Sequence, residues 1–300
     1  MTLSQILRRL WKRSKKNKEE VCMARCVVPE AEAILDKEYK VLDKGFVRLV
    51  DYLGGDARIV QAARVSYGEG TKTVREDAGL IDYLLRNDHT SPFEQVVFTF
   101  HIKMPIFVAR QWLRHRTARL NEISGRYSVM KDDFYIPASE DIALQNKDNK
   151  QGRASEESDA DFAKQVQESL GEGQKNSYAE YSKLIDTGLA REIARINLPL
   201  SLYTEMYWQI DLHNLFHFLR LRLDAHAQKE IRDYAKVLFE IAKKVSPFAC
   251  ASFENYKLGG VNFSKAEFEE LKLMLENKNG KLEGKEKERF DKKMQLGRQL

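Results

Sequence analysis

The chain of 300 residues has few cysteines and no long apolar run, and both shortages exclude classes of protein. Its three cysteines are an odd number, and Cys22 and Cys26 have no histidine nearby, so neither a disulfide framework nor a zinc site is predicted there. No stretch approaches the roughly 20 uninterrupted apolar residues of a membrane span. Lys103, Pro105 and Arg110 interrupt the longest candidates. We therefore expect no membrane span and a reducing compartment, the cytoplasm.

Positive charge is also missing from most of the chain. The formal net charge is +5, but residues 1–20 contain seven basic and two acidic residues and carry all of it. The neutral remainder argues against a DNA partner. We assign residues 1–38 to a basic N-terminal arm, in which the apolar residues from Leu3 to Trp11 recur at helical spacing. The arm could lie on an anionic membrane, bind RNA, act as a transit peptide or be a solvated appendage.

The remainder has the composition of a packed protein, since apolar residues make up 43% and aromatic residues 10% of the chain. The β-branched and aromatic run of residues 96–102 predicts a strand. Apolar periodicity predicts helices over residues 46–53, 56–65, 74–86, 106–113, 161–188, 190–196, 212–222 and 225–245. We expect Asp56 to cap the second of these, and Ser91-Pro92-Phe93-Glu94 to start another. The sequence therefore predicts an α+β fold, with a central antiparallel or mixed sheet flanked by long helices.

Composition also divides the chain into segments. Residues 39–260 form the predicted main domain, and the polar stretch of about residues 140–175 is typical of a long insertion. Residues 261–300 form a charged C-terminal tail. It begins with a capping-box pattern, Ser264 and Glu267, and ends as an exposed helix or a disordered segment.

The segment from Gln111 to Tyr127 is the most unusual of the chain, because it holds four arginines and a single acid, Glu122. The four are Arg114, Arg116, Arg119 and Arg126. Guanidinium groups so close repel one another unless anions lie among them, so the pattern predicts binding of phosphates or carboxylates. Ser124-Gly125 adds backbone amides that can approach a phosphate. The alternative is a set of ion pairs with acids elsewhere.

The same segment resembles the signature of the flavin-dependent thymidylate synthases: Arg114-His115-Arg116, seven residues, then Ser124, followed by Arg126-Tyr127. The similarity extends over about residues 39–256 and includes three further motifs. They lie at residues 89–94 (His-Thr-Ser-Pro-Phe-Glu), 194–199 (Ala-Arg-x-x-Leu-Pro) and 219–228 (Leu-Arg-Leu-Arg-x-Asp-x-His-Ala-Gln). One residue departs from the family pattern, since Arg119 stands where the family commonly has serine.

The resemblance implies reductive methylation of dUMP to dTMP. Its carbon donor would be 5,10-methylenetetrahydrofolate, its electron source NADPH, and its hydride carrier FAD. The phosphates of FAD and dUMP and the carboxylates of folate would neutralise the arginine cluster. The family also implies a homotetramer whose active sites are shared between subunits.

The resemblance further assigns site residues. The dUMP contacts would be Gln111, Arg114, Glu122, Ser124, Gly125, Arg126, Arg195 and Arg222. The FAD contacts would be Ser91, Arg114, His115, Arg116, Glu122, Asp211, His213 and His217, of which the last three occupy positions that vary within the family.

Arg222 is the residue that we expect to be catalytic. Making carbon 5 of uracil nucleophilic delocalises negative charge onto N3 and the ring carbonyls, and a fixed guanidinium stabilises that charge. Ser124 either binds phosphate or orients dUMP, and the alternative, a serine nucleophile, would need a base. No cysteine is placed for attack on the ring, because Cys22 and Cys26 lie in the arm and Cys250 has the apolar surroundings of a buried thiol.

Two other readings start from the same residues. His213 and His217 lie four residues apart on a predicted helix and could bind zinc, but no glutamate lies between them as in a metalloprotease motif, and we expect no metal. An RNA-binding protein could use the arm and the arginine cluster with Trp112 and Tyr127, although the neutral body and the absence of a known RNA-binding motif oppose this.

Overall fold

The computed structural model describes residues 26–65, 74–147, 152–154 and 159–296. The apolar pattern from Leu3 to Trp11 and Cys22 lie outside them. The chain forms two compact units, divided after Ala251.

The first unit is built on a five-stranded antiparallel sheet with the strand order β1-β2-β3-β5-β4. The strands are β1 (Glu38–Val41), β2 (Gly45–Leu53), β3 (Val97–Pro105), β4 (Arg119–Glu122) and β5 (Tyr203–Asp211). The helices of this unit are α1 (Pro29–Glu32), α2 (Asp56–Arg64), α3 (Val74–Arg86), α4 (Ile106–Trp112), α5 (Ala160–Asp186), α6 (Arg191–Ala194), α7 (Leu212–Arg222) and α8 (Lys229–Val245). A further helix, α9 (Pro247–Phe253), spans the division. The α+β class is confirmed, and the sheet is antiparallel.

The helix predicted over residues 46–53 is wrong, because this segment is strand β2. Its buried side chains alternate up to Leu49, and a register shift between Leu49 and Asp51 then moves the alternation by one residue. Of the apolar residues spaced as a helical stripe, only Leu49 is fully buried, and Leu53 is exposed, so the stripe does not mark the buried face.

Strand β5 has no counterpart among the predicted elements. It pairs with β3 from Tyr203 to Asp211 and with β4 along its other edge, so it lies inside the sheet. Thr204, Met206 and Trp208 are buried and alternate with less buried residues, a period of two that could have identified the strand.

Two predicted helix starts differ from the structure. Gly55 occupies the cap position of α2, and the Asp56 carboxylate instead accepts hydrogen bonds from the amides of Phe248 and Ala249 at 2.8 and 3.1 Å. Burial raises the pKa of this carboxyl to about 6. The segment Ser91–Gln95 is a short 3-10 turn that leads directly into β3.

Aromatic packing under the sheet fixes the two helix ends that carry the arginines. Trp112, the last residue of α4, is fully buried, and its ring centroid lies 5.1 Å from that of Trp208 and 4.6 Å from that of Phe218. Phe218 belongs to α7. The end of α4, strand β5 and α7 therefore share one core.

A separate small cluster supports the chain that follows β4. Its buried members are Met130, Phe134, Tyr181, Ala194 and Leu202. Tyr181 of α5 donates a hydrogen bond to the Met130 amide at 2.9 Å, and Tyr178 donates one to the Met130 carbonyl at 3.1 Å. Helix α5 begins at Ala160, within the stretch predicted as an insertion.

Part of the predicted N-terminal arm packs on the sheet. Ala31 and Ile34 are 0% and 8% exposed, and the Tyr52 hydroxyl donates a hydrogen bond to Glu32 at 2.6 Å. The segment around α1 therefore contributes to the core of the first unit.

The second unit contains helices α10 (Lys265–Leu275) and α11 (Gly284–Leu296). Ser264 and Glu267 form the predicted capping box at the start of α10. Glu267 also accepts a hydrogen bond from Lys293 at 2.6 Å, which lowers the pKa of this carboxyl to about 2. Phe290 is buried within the unit. No helix among the described residues is long and apolar enough to cross a membrane.

Candidate active site

The arginine-rich loop connects the buried end of α4 to strand β4. Arg114, Arg116 and Arg119 are exposed, and among the described residues none of them has a carboxylate partner. Arg126 pairs with Glu192 at 2.9 Å. Three of the four guanidinium groups are thus available to anions, while the alternative of ion pairs applies to Arg126 alone.

Arg222, at the end of α7, is held by two hydrogen bonds, one to this loop and one to the last turn of α4. Its Nε donates to Nε2 of His115 at 3.0 Å, and its Nη2 donates to the carbonyl of Gln111 at 3.2 Å. Partial burial lowers the pKa of Arg222. The guanidinium is therefore fixed in position before any ligand is considered.

His115 accepts from Arg222 through Nε2, so its ring is neutral and Nδ1 carries the proton. Burial, and then the charges of Arg222 and His217, lower the pKa of the imidazole from 6.5 to about 4. The ring also packs against Phe218, with centroids 4.7 Å apart.

A residue absent from the predicted site set touches this group. Gln111 donates a hydrogen bond from its side chain to Oε1 of Gln228, just before α8. Gln228 belongs to the last family motif quoted above. The spacing between Gln228 and Arg222 in the sequence does not indicate the contact of Gln228 with Gln111, because α7 ends at Arg222.

Ser124 to Arg126 form a turn after β4. The amide of Arg126 donates to the Ser124 hydroxyl at 3.3 Å, and the amide of Tyr127 donates to the Ser124 carbonyl at 3.0 Å. Among the described residues no histidine or carboxylate hydrogen bonds to Ser124. The nucleophile alternative thus lacks the base that it needs.

The Arg195 side chain closely approaches the backbone of Gly125. A Cβ atom at this position would lie 3.0 Å from Cδ of Arg195 and 3.1 Å from Sδ of Met130. Only glycine lets the Arg195 side chain lie across the turn without displacement.

Glu122 lies at the end of β4, where its Oε1 accepts a hydrogen bond from the buried Thr204 hydroxyl at 2.6 Å. Its other carboxylate oxygen remains for a ligand. Strand pairing opposite Met206 fixes its backbone.

The predicted flavin residues outside the loop lie on or beside α7. The Ser91–Gln95 turn packs against this helix, with the Phe93 and Phe216 rings 6.4 Å apart. His213 and His217 lie on α7, and the His217 ring is 5.9 Å from that of His115. Asp211 caps α7 by accepting from the backbone and side chain of Asn214 at 2.9 and 2.8 Å.

Ser91 also lines a cavity of about 460 Å³, together with Arg58, Gln61 and Gln95. In the part of the chain that the structure describes, no cluster of three or more histidine, cysteine or acidic side chains could hold a metal ion.

The predicted site residues thus fall into two groups. The Arg222 group comprises Gln111, His115 and Arg222, with α7 beside it. The Ser124 group comprises Ser124, Gly125, Arg126 and Arg195, with Glu192 as a partner of Arg126. Within the described ranges, no hydrogen bond or ion pair joins one group to the other.

Comparisons with known proteins agree on one family. Residues 48–248 match the family described as Thymidylate synthase complementing protein, and residues 261–300 match the Thymidylate synthase ThyX C-terminal domain. The flavin-dependent thymidylate synthase of Treponema denticola is 70% identical over 89% of this chain and 100% of its own length. That of Treponema pallidum is 61% identical over 92% of this chain and 91% of its own length.

A solved structure shares the fold. The UMP/dUMP methylase PolB from Streptomyces cacaoi, bound with 5-Br dUMP, is 33% identical and superimposes with a TM-score of 0.66. The match covers 73% of this chain and 98% of that one. Together with the sequence matches, it shows that this chain belongs to the flavin-dependent thymidylate synthases, which convert dUMP to dTMP.

Proposed function

We propose that Arg222 activates the uracil ring of dUMP, and its fixed position is the observation that carries this proposal. Two of its nitrogens are hydrogen-bonded within the chain, to His115 and Gln111. The edge formed by the terminal nitrogens then faces two ring atoms at once, which a lysine could not do. Charge that develops on N3 and a neighbouring carbonyl of uracil is stabilised without reorganisation of the protein.

In this proposal the two groups of residues bind opposite ends of dUMP. Arg222 and Gln111 contact the ring. The Ser124 group binds the phosphate through the guanidinium of Arg126, that of Arg195 and the amides of the turn. Glu122, held by Thr204, orients the nucleotide between them, and Arg114 contacts both dUMP and FAD.

The residues present fit FAD, because Arg114 and Arg116 are exposed and have no acidic partner among the described residues, as a pyrophosphate requires. We assign FAD contacts also to Ser91, His115, Glu122, His213 and His217. Asp211 already caps α7, so its contact would be through an oxygen shared with Asn214. When bound, FAD supplies hydride chemistry. The chain's own task is to bind the rings face to face and to exclude water.

The co-substrates in this proposal are NADPH as electron source and 5,10-methylenetetrahydrofolate as carbon donor. Both carry phosphates or carboxylates, which suit the remaining guanidinium groups of the loop. The protein acts in the cytoplasm, in line with its few cysteines.

We also propose a homotetramer whose active sites combine residues of different subunits. It is supported by the separation of the Arg222 group from the Ser124 group within one chain. At dUMP concentrations well below the raised KM of Arg126→Ala, co-assembled Arg126→Ala and Arg222→Ala subunits should then make more dTMP than either variant alone. Mixed tetramers that remain inactive would contradict a division between chains.

The domain limits remain proposals: an arm over residues 1–38, a synthase domain over 39–260 with an insertion at about 140–175, and a C-terminal segment over 261–300. Because Ala31 and Ile34 are buried, a deletion of the arm should end near residue 25.

The experiment that tests the proposed activity is the absorption spectrum of the purified protein under anaerobic conditions. NADPH should bleach the flavin band, and addition of dUMP with 5,10-methylenetetrahydrofolate should restore it while dTMP forms. A band that NADPH does not change would contradict the assigned electron source.

A further inference from the structure

We infer that His115 is a positioning residue for Arg222, which it orients by accepting the Nε–H of the guanidinium on a neutral ring. The inference rests on the proposed role of Arg222 and adds to it a second residue. In the family assignment above, His115 contacts only FAD.

The guanidinium group of Arg222 carries five N–H hydrogen atoms. Arginine has one N–H on Nε and two on each terminal nitrogen, in one plane. Nε is directed at His115 at 3.0 Å, and one hydrogen of Nη2 is directed at the Gln111 carbonyl at 3.2 Å. Both hydrogen atoms on Nη1 and the second hydrogen atom on Nη2 remain for a ligand. The hydrogen bond from Nε therefore fixes the plane of the guanidinium group, and with it the direction of the edge formed by Nη1 and Nη2.

Side chains of α7 pack around the imidazole of His115. Phe218 packs edge-on at 4.7 Å between ring centroids, and His217 lies at 5.9 Å, both from α7. The charged and titratable groups that face the ring are Arg222 and His217, and its neighbours in the loop are Arg114 and Arg116. Arg222 and His217, the two groups that act on the ring, are both basic and disfavour a protonated imidazole.

Burial and the charge of Arg222 favour the neutral imidazole. A neutral ring has one donor and one acceptor nitrogen, and only the acceptor can meet a guanidinium N–H. The depressed pKa of about 4 agrees with a ring that stays neutral throughout the working range of pH. Burial, and then the charges of Arg222 and His217, thus keep His115 in the neutral form that Arg222 needs.

The Gln111 contact extends the same arrangement. The carbonyl that accepts from Nη2 belongs to a residue whose side chain bonds to Gln228, in the chain between α7 and α8. Arg222 is therefore braced from the loop on one side and from the start of α8, through Gln111, on the other.

The test compares three variants of His115 by steady-state kinetics and by flavin content. Gln can place a neutral acceptor near the position of Nε2, whereas Asn ends too early and Phe has no acceptor. We expect His115→Gln to recover most of the kcat that His115→Asn loses. His115→Asn and His115→Phe should lower kcat about 10- to 100-fold, as misplacement of a reacting group by about 1 Å does, with little change in the KM for dUMP.

Flavin content and a spectroscopic signal separate positioning from a structural role. Each variant is first tested for folding and retained FAD absorbance. NMR of dUMP labelled with ¹⁵N at N3 then reports the ionisation of the bound ring. Wild type and His115→Gln should lower the pKa of N3 in bound dUMP, and His115→Asn should lose most of that shift.

A double-mutant cycle distinguishes the inference from the proposal on which it rests. If His115 acts through Arg222, then His115→Asn should cause no further loss of kcat in the Arg222→Ala background. If His115→Asn lowered kcat as much in the Arg222→Ala background as in the wild type, the positioning role would be overturned. The same holds if the loss of kcat followed the loss of FAD. Either result would leave the role of Arg222 intact. Full activity of Arg222→Ala would overturn both.

Discussion

The two groups of site residues differ in how firmly the chain holds them. Arg222 is partly buried and bonded to a neutral histidine and a backbone carbonyl, beside the main aromatic core. Arg126 is 58% exposed, and its partner Glu192 is 51% exposed. The Ser124 group rests on the smaller cluster around Met130. One half of the site is organised in advance, and the other is open.

The difference corresponds to the two tasks. Stabilising charge that develops in a transition state requires a group already in place, because reorganisation would cost part of the gain. Binding a phosphate that carries its charge from the start requires only attraction. An exposed pair such as Arg126–Glu192 contributes about 0 to 1 kcal/mol, so a phosphate can displace the glutamate.

The largest effect should follow from removing the organised cation. Arg222→Ala should lower kcat by about a hundredfold or more, as loss of one preorganised charge-stabilising group does. Arg222→Lys should recover little of it, since an ammonium cannot bond to His115, Gln111 and the ring together. Rapid-quench measurement of dTMP formation with saturating dUMP checks this. Near-normal turnover by Arg222→Lys would show that charge suffices without the planar geometry.

The matched control for this prediction removes all cysteines. Cys250 is buried, and no thiol belongs to either group of site residues. Replacing Cys22, Cys26 and Cys250 by alanine or serine should keep dTMP formation within a few-fold. A cysteine-free protein that folds and binds FAD but makes no dTMP would restore covalent catalysis by a thiolate.

A smaller effect, and on a different constant, should follow from changing the open half. Arg126→Ala should raise the KM for dUMP about 10- to 100-fold, the value of a hydrogen bond to a charged group, with little change in kcat. Glu192→Gln is the control, because it releases Arg126 without removing it, and its KM should stay equal or fall. A fall in kcat equal to that of Arg222→Ala would erase the distinction between the halves.

A still smaller effect concerns stability and pH in the organised half. The pKa of His115 is lowered from 6.5 to about 4 in the folded protein, so between these values only the unfolded chain binds the proton. The stability from this group is fully present above about pH 6.5 and is lost as the pH falls to about 4. Since the ring is only half-buried, solvent screening reduces the loss to about 1 to 2 kcal/mol.

Urea unfolding of the wild type and of His115→Gln at several pH values measures this pH-dependent contribution of His115 to the free energy of unfolding. The variant has no imidazole at this position, so its free energy of unfolding should fall less between pH 6.5 and 4. Parallel curves for the two proteins would mean that the ring titrates normally and that the organised half is looser than its hydrogen bonds indicate.

The smallest effect is expected outside both halves. Deletion of residues 1–25 should change neither flavin content nor kcat, since no site residue lies there. Deletion of residues 1–35 is the comparison, because it removes the buried Ala31 and Ile34 and should lower the melting temperature. Loss of FAD from a folded protein lacking only residues 1–25 would make the arm part of the site.

The amino-acid sequence predicts the long helices and the chemistry of the site better than it predicts the strands of the sheet. Helices such as α3 and α7 have uninterrupted periodicity and were predicted nearly to their ends. Strand β2 was misread because its β-bulge breaks the alternation, and β4 is four residues long, too short for a period to be recognised. Local pattern could not reveal these elements because long-range pairing decides them.

For the site, residue types pointed to anions and a nucleotide, and the family motifs supplied the names of the contacts. What no spacing could give is the bond between Arg222 and His115, 107 residues apart, or that between Gln111 and Gln228, 117 residues apart. Both arise only when α7 packs beside the end of α4. The individual site assignments remain predictions until the variants above are measured.

The Asp56 carboxylate has a consequence for how the chain folds. It bonds to amides 192 and 193 residues further on, at the start of α9, so α2 gains these partners only when the far end of the first unit is available. Loop closure over such separations is slow, and contacts of this kind set the folding rate of a domain. During synthesis from the N-terminus, the Asp56 carboxylate of α2 must wait for nearly two hundred residues before its two amide partners are present. The first unit therefore closes late and as a whole.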